Sequence, residues 1–278
     1  FSHKVMNKTA LKNYAVKARR DFISAIKNRA YLFGLSETER PTVETSGEVA
    51  IIKGKAYPRK VAGQIDKLVK AVEKQGFEQI VNEVSYTWFN RLIALRYMEL
   101  HGFLPHGFRV LSSADGSQTP EILSRASEVE FPTLKREKIV ELKLKNQDAE
   151  LYRILLTAQC NALSASLPFL FERIDDETEL LLPDNLLFSD SIIRKLVDEI
   201  DEADWQEVEI IGWLYQFYIS EKKDEVIGKT VKSEDIPAAT QLFTPNWIVK
   251  YMTQNSLGRL WLEAHPTSTL ASQMEYFI

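Results

Sequence analysis

The segment YTWFNRLIALRYMELHGFL, residues 86–104, constrains the fold more than any other. Trp88, Leu92 and Leu95 fall on one helical face, and Phe89, Ile93 and Met98 broaden it. Gly102 ends the helix. An apolar face this wide needs other helices to cover it, and the chain supplies them. Tyr14, Ala18, Phe22, Ala25 and Ile26 recur at helical spacing after Thr9, which is read as the cap. A helix is predicted over about 61–75, with Gly76 placed for its C-cap. Others follow near 134–145, 148–167, after a cap at Ser189 (Ile192, Ile193, Leu196, Val197 and Ile200 inside), and over 204–220. Residues 36–60 break the pattern. Val49–Ile52 are β-prone, and Lys53-Gly54 turns the chain back toward Tyr57, which predicts a short hairpin. The expected fold is mainly α. A helical N-terminal lobe covers 6–111, a Ser-, Pro- and Gly-rich loop or linker 112–135, a second helical lobe 136–232, and a distinct closing segment 233–278.

Composition narrows the class. No stretch approaches the roughly 20 apolar residues of a membrane helix, and no secretory signal is visible, so the cytoplasm is the expected location. Met6 is the natural initiator, and the five residues before it read as an appended remnant. Charge is uneven along the chain: residues 1–75 hold 16 Lys/Arg against 7 Asp/Glu, out of totals of 35 and 39. Opposed halves of this kind imply different partners or a self-complementary surface. Lys12, Lys17, Arg19, Arg20, Lys27 and Arg29 lie mostly off the first helix's apolar stripe. They form either a solvated basic face or a phosphate-contacting one, with Lys12, Arg19 and Arg20 as the candidate DNA-binding residues.

Several chemistries find no support. The spacing of the four histidines does not suit a metal, since Gly102 and Pro105 separate His101 from His106. Cys160, the one cysteine, lies between Leu156 and Leu163 and reads as a small core residue. Pro183-Asp184 with Glu221 and Lys223 matches a metal-nuclease pattern only loosely, and the acidic run from Glu172 to Asp204 reads as a solvated face. The eleven glycines include no Gly-x-Gly, and no P-loop occurs.

The stretch ATQLFTPNWIVKYM, residues 239–252, reads physically as a capped helix. Thr244 stands at the N-cap and Pro245 at the first helical position; Ile248, Val249 and Met252 form an apolar face, with Phe243 stapled near Ile248. The same residues resemble the aromatic-Thr-Pro cofactor motif of the DNA amino-methyltransferases, with Leu242 where the family also allows an aromatic. Together with YTWFNRLIALRYMELHGFL, LLLPDNLLFSDSII (180–193) and residues 210–245, they make the chain resemble the N-terminal part of the large adenine-specific methyltransferases of type 1 BREX phage-resistance systems.

The resemblance runs from about Asn7 to Ile278. It implies S-adenosylmethionine as cofactor, with Phe243, Thr244 and Pro245 on one wall of its site, and residues 233–278 as the start of the methyltransferase domain. It also implies double-stranded DNA and other BREX defence proteins as partners. The family's Gly-rich and Asn-Pro-Pro-Tyr motifs are not in this sequence, so no catalytic residue is assigned and the chain alone is expected to be inactive. The chain's own role is expected to be scaffold, DNA-backbone contact or partner docking. The alternative is a protein-interaction module without DNA contact, using its acidic region and exposed aromatics such as Trp205.

Overall fold

The computed structural model describes residues 6–171, 177–228, 236–240 and 242–278. The start of the acidic run at Glu172 and the boundary expected at Ser233 lie outside the described residues. The chain forms two compact units, one through Gln206 and one from Glu207 to Ile278. Residues 112–135, expected to divide two lobes, lie within the first.

In the first unit α1 (Lys8–Phe33) packs along α3 (Phe77–Leu100) and against α8 (Ile192–Glu199). Its buried stripe is Leu11, Tyr14, Ala18, Phe22 and Ile26, and Phe22 meets Phe89 edge-on at 5.7 Å. The α1 cap is Asn7, whose side chain accepts from Ala10 N at 3.0 Å, rather than Thr9. At α8 the cap is Ser191, accepting from Arg194 N at 3.1 Å, rather than Ser189. In both places two polar residues compete for one cap, and backbone geometry decides between them.

Three strands follow α1: β1 (Val43–Ser46), β2 (Val49–Ile52) and β3 (Lys55–Pro58), an antiparallel sheet in that order. The expected β2–β3 hairpin is present. Its turn residues Lys53 and Gly54 both take positive φ, 46° and 74°, as a tight two-residue turn requires. The sheet's inner face sets Ile52, with Val43 and Tyr57, against Phe33, Val61, Ile65 and Leu180. α2 (Lys60–Gln75) ends at Gly76, whose N–H bonds Val72 O.

α3 is the central helix of this unit. It begins at Phe77, nine residues before the amphipathic segment, and it is buried on more than one face: Trp88, Leu92 and Leu95 are joined by Arg91, Arg96 and Glu99. Past α3 the chain contains the single-turn α4 (Glu121–Ser124), then α5 (Arg136–Leu144), α6 (Asp148–Leu163) and the short α7 (Glu177–Leu180). The expected helix over 204–220 resolves into a 3-10 turn at Glu202–Gln206, α9 (Glu209–Tyr218) and α10 (Ser220–Val226), and the short α11 (Ile236–Thr240) comes later. Trp205, expected to be exposed, is fully buried. None of the described helices is long and apolar enough to cross a membrane.

A buried polar hub organises the irregular chain after α3. Arg96 donates to Glu99 Oε1 at 2.7 Å, Ser112 Oγ at 2.7 Å and Glu202 Oε1 at 2.9 Å. Glu99 Oε2 accepts from the backbone N–H groups of Val110 and Leu111, each at 2.7 Å. The Arg96 and Glu99 side chains are fully buried.

Truncating one member of a buried ion pair strands the other charge. Glu99→Ala should therefore cost about 3–5 kcal/mol in denaturant unfolding. Glu128→Ala, which removes an exposed partner of Arg125, should stay within about 0.5 kcal/mol. Glu202 adds a pH dependence. Burial raises its carboxyl pKa, but hydrogen bonding and charge from Arg96, with Arg109, outweigh this and leave it below the ordinary value. The stabilisation is complete above the unfolded-state value and is lost as pH falls through the folded one. Unfolding midpoints should thus fall below about pH 4.3 more steeply for the native chain than for Glu202→Gln.

Candidate functional site

On α1 most of the expected basic face is engaged, and Arg29 is largely buried. Lys17 pairs with Glu199 at 2.7 Å, Lys27 with Glu78 at 2.5 Å, and Arg29 with Asp184. Arg19 is half-buried and donates to Asn82 Oδ1 at 3.3 Å. Lys12 and Arg20 are exposed. Part of the charge asymmetry is therefore answered inside the fold. Near Arg29, a cleft of about 370 Å³ is lined by Asp21, Ser24, Asn28, Asp184 and Lys195 among others. Burial lowers the pKa of Arg29 and, with repulsion from Arg29, brings that of Arg153 to about 10. Asp184 accepts from both arginines, which accounts for the carboxylate that loosely resembled a nuclease ligand.

His106 Nε2 pairs with Gln159 Oε1 at 2.7 Å, and His101 stands at the C-cap of α3. Cys160 is fully buried, and burial pushes its thiol up to about 12, the behaviour of a core residue. Among the described residues no group of His, Cys, Asp and Glu is arranged to hold a metal.

In the second unit the Phe243-Thr244-Pro245 segment is held by α9. The Phe243 ring lies over Gly212, where a Cβ would come 1.9 Å from Cε2. It meets the Trp213 ring edge-on, with centroids 5.3 Å apart. Gln216 Oε1 accepts from Phe243 N at 3.0 Å, and Glu209 Oε1 accepts from Asn246 N at 2.6 Å. The expected Thr244 cap does not form. α12 (Asn246–Thr253) has Pro245 at its N-cap, at φ −53° and ψ 143°, with no side-chain bond of its own. Glu209 satisfies the orphan amide instead, and a carboxylate suits the positive end of a helix. Thr244 is exposed. Gly212, Trp213, Gln216 and Glu209 escaped the sequence reading because no local pattern links them to residues some thirty positions later.

After α12 the helical chain continues through a π turn at Gln254–Gly258 into α13 (Arg259–Ala264), and none of these residues is buried. Trp247, Val249, Met252, Leu257, Leu260 and Trp261 are all about half exposed or more.

No protein-family model matches the chain. It is 53% identical over 281 aligned positions to the adenine-specific methyltransferase BrxX of Escherichia coli O9:H4 (strain HS), across 98% of this chain and 23% of that protein. The chain is a homologue of adenine-specific methyltransferases. It is also 38% identical over 283 positions to the adenine-specific methyltransferase PglX of Lacticaseibacillus casei (strain Zhang), across 92% of this chain and 23% of that protein. These matches bear out the methyltransferase resemblance read from the sequence. The chain spans under a quarter of the length of either relative.

The contact at Gly212 makes a prediction of unusual sign. Gly→Ala inside a helix ordinarily stabilises by about 1 kcal/mol. Gly212→Ala must displace the Phe243 ring, so it should lower the melting temperature and raise amide exchange at 242–253. A stabilised variant with unchanged exchange would show that Phe243 does not rest there.

Proposed function

We propose that the chain is the N-terminal part of a site-specific DNA adenine N6-methyltransferase of a BREX phage-defence system, acting in the cytoplasm on double-stranded DNA. The observation that carries this reading is the homology to BrxX and PglX across nearly the whole chain. The first unit is the scaffold, contacting the DNA backbone through exposed cations such as Lys12 and Arg20, with Arg19 behind them, and offering a surface to other BREX proteins.

The second unit begins the methyltransferase domain. Two features support this. Phe243, Thr244 and Pro245 match the aromatic-Thr-Pro cofactor motif, and α9 contacts the segment while Thr244 stays exposed. The helical run from Asn246 to Ala264 has no buried residue although it carries Trp247, Val249, Met252, Leu257, Leu260 and Trp261, the pattern of an element whose apolar side chains are made to be enclosed by more protein. The relatives' remaining length is ample to enclose it.

These residues fit one wall of an S-adenosylmethionine site: an aromatic edge fixed in place beside a short polar side chain. The bound cofactor supplies an activated methyl group. The chain's part is to hold Phe243 against the cofactor and keep water from that side. One wall leaves most of such a ligand in solvent, whereas productive sites bury about 70–90% of it. With the Gly-rich and Asn-Pro-Pro-Tyr motifs outside this sequence, the isolated chain should neither bind the cofactor tightly nor methylate DNA.

In the complete methyltransferase, Phe243→Ala should raise the Kd for S-adenosylmethionine about 2- to 12-fold, the equivalent of an aromatic contact worth about 0.5–1.5 kcal/mol. Thr244→Ala should leave stability unchanged, since it removes no cap bond. Calorimetry with thermal melts on both variants tests this. A stable Phe243→Ala enzyme with native cofactor affinity would reduce the motif to a helix start.

A further inference from the structure

α2 carries lysines in a row. Lys60, Lys67 and Lys74 stand seven residues apart, so each is turned only about 20° from the last. The row is roughly 21 Å long at 1.5 Å per residue. It lies away from the buried stripe of Val61, Ile65, Leu68 and Val72. All three lysines are exposed, and none makes an ion pair; the one pair on this helix joins Lys70 to Asp66 at 2.7 Å. Gly63 falls on the same face and adds no bulk.

The placement is not explained by folding. α2 has no acidic residue in its first turn and no side-chain cap; Arg59 and Lys60 stand there instead, where the helix dipole opposes a cation. The contrast with α1 is direct, since Lys17, Lys27 and Arg29 have carboxylate partners.

We propose that the Lys60–Lys67–Lys74 row is the principal phosphate contact of this domain with duplex DNA. The proposal rests on the DNA-methyltransferase reading and gives it a location other than α1. Charge complementarity selects the partner. A straight row of unpaired cations about 21 Å long covers the axial span of about six phosphates of one strand. Flexible ammonium groups that are in no ion pair, the neighbouring Asp66 being held by Lys70, suit a contact that positions the duplex without reading its sequence.

The test is fluorescence anisotropy of the 278-residue chain with a labelled random-sequence duplex, between about 50 and 200 mM salt. K60Q/K67Q/K74Q should bind more weakly and lower the slope of log affinity against log salt by about 2.7, since each lost contact removes about 0.9. The charge-matched K135Q/R136Q/K143Q should keep the native slope, and melting curves of both triples check folding. Binding by the native chain with equal slopes in both triples would overturn the row and leave the DNA reading standing. No binding by the native chain at low salt would overturn both. Displacement of the duplex by polyglutamate at equal charge concentration would put an acidic protein in its place and overturn the choice of DNA.

Discussion

The first unit depends on one buried carboxylate. Glu99 closes α3, the central helix, and collects two backbone N–H groups, the Ser112 hydroxyl and Arg96. The backbone at Val110 and Leu111 is buried and belongs to no helix or strand, so its donors need an acceptor from a side chain. An apolar residue of equal volume would fill the space and leave those donors unmet. Arg96 neutralises the charge so gathered and carries the network on to Glu202. Tyr152 on α6 bonds Val110 O at 3.0 Å, and Glu121 accepts from Arg109 N at 2.9 Å. These bonds pin irregular backbone to α3, α4 and α6.

How much of this was legible in the sequence follows from the range of each interaction. α2 and the core of α3 were readable because apolar periodicity is local and strong. The beginning of α3 was not: Phe77, Ile80, Val81 and Val84 are buried at helical spacing, but Glu78, Asn82 and Glu83 lie among them. β1, with the sequence VETS, has little apolar content, and its pairing with β2 is what makes it a strand. Caps were misplaced by a residue or two at α1, α8 and α12. At α12 the deciding group, Glu209, is 37 positions away. Trp205 follows the same logic, since an indole in an acidic context is buried by partners distant in sequence. For the candidate site, resemblance supplied Phe243, Thr244 and Pro245, while the residues that hold them became visible only in three dimensions.

Charge tells a similar story. The first 75 residues hold 16 Lys/Arg against 7 Asp/Glu. In the fold α1 spends much of its excess on Glu78, Asp184 and Glu199, and Lys195 in turn answers Asp21 at 2.8 Å. α2 has no such counterweight on its lysine row. Net charge along the chain does not separate these two helices; the pairing of individual groups does.

The anchoring of Phe243 has a mechanical consequence. Glu209, Gly212, Trp213 and Gln216 occupy one stripe of α9, at intervals of three, one and three residues, and together they hold the backbone from Phe243 to Asn246. A rotation of α9 by one residue, about 100°, would release all of these contacts at once. The motif therefore has no position independent of this helix and moves with it as one body. A shift in α9 becomes a shift in the aromatic wall without any change in the wall's own sequence.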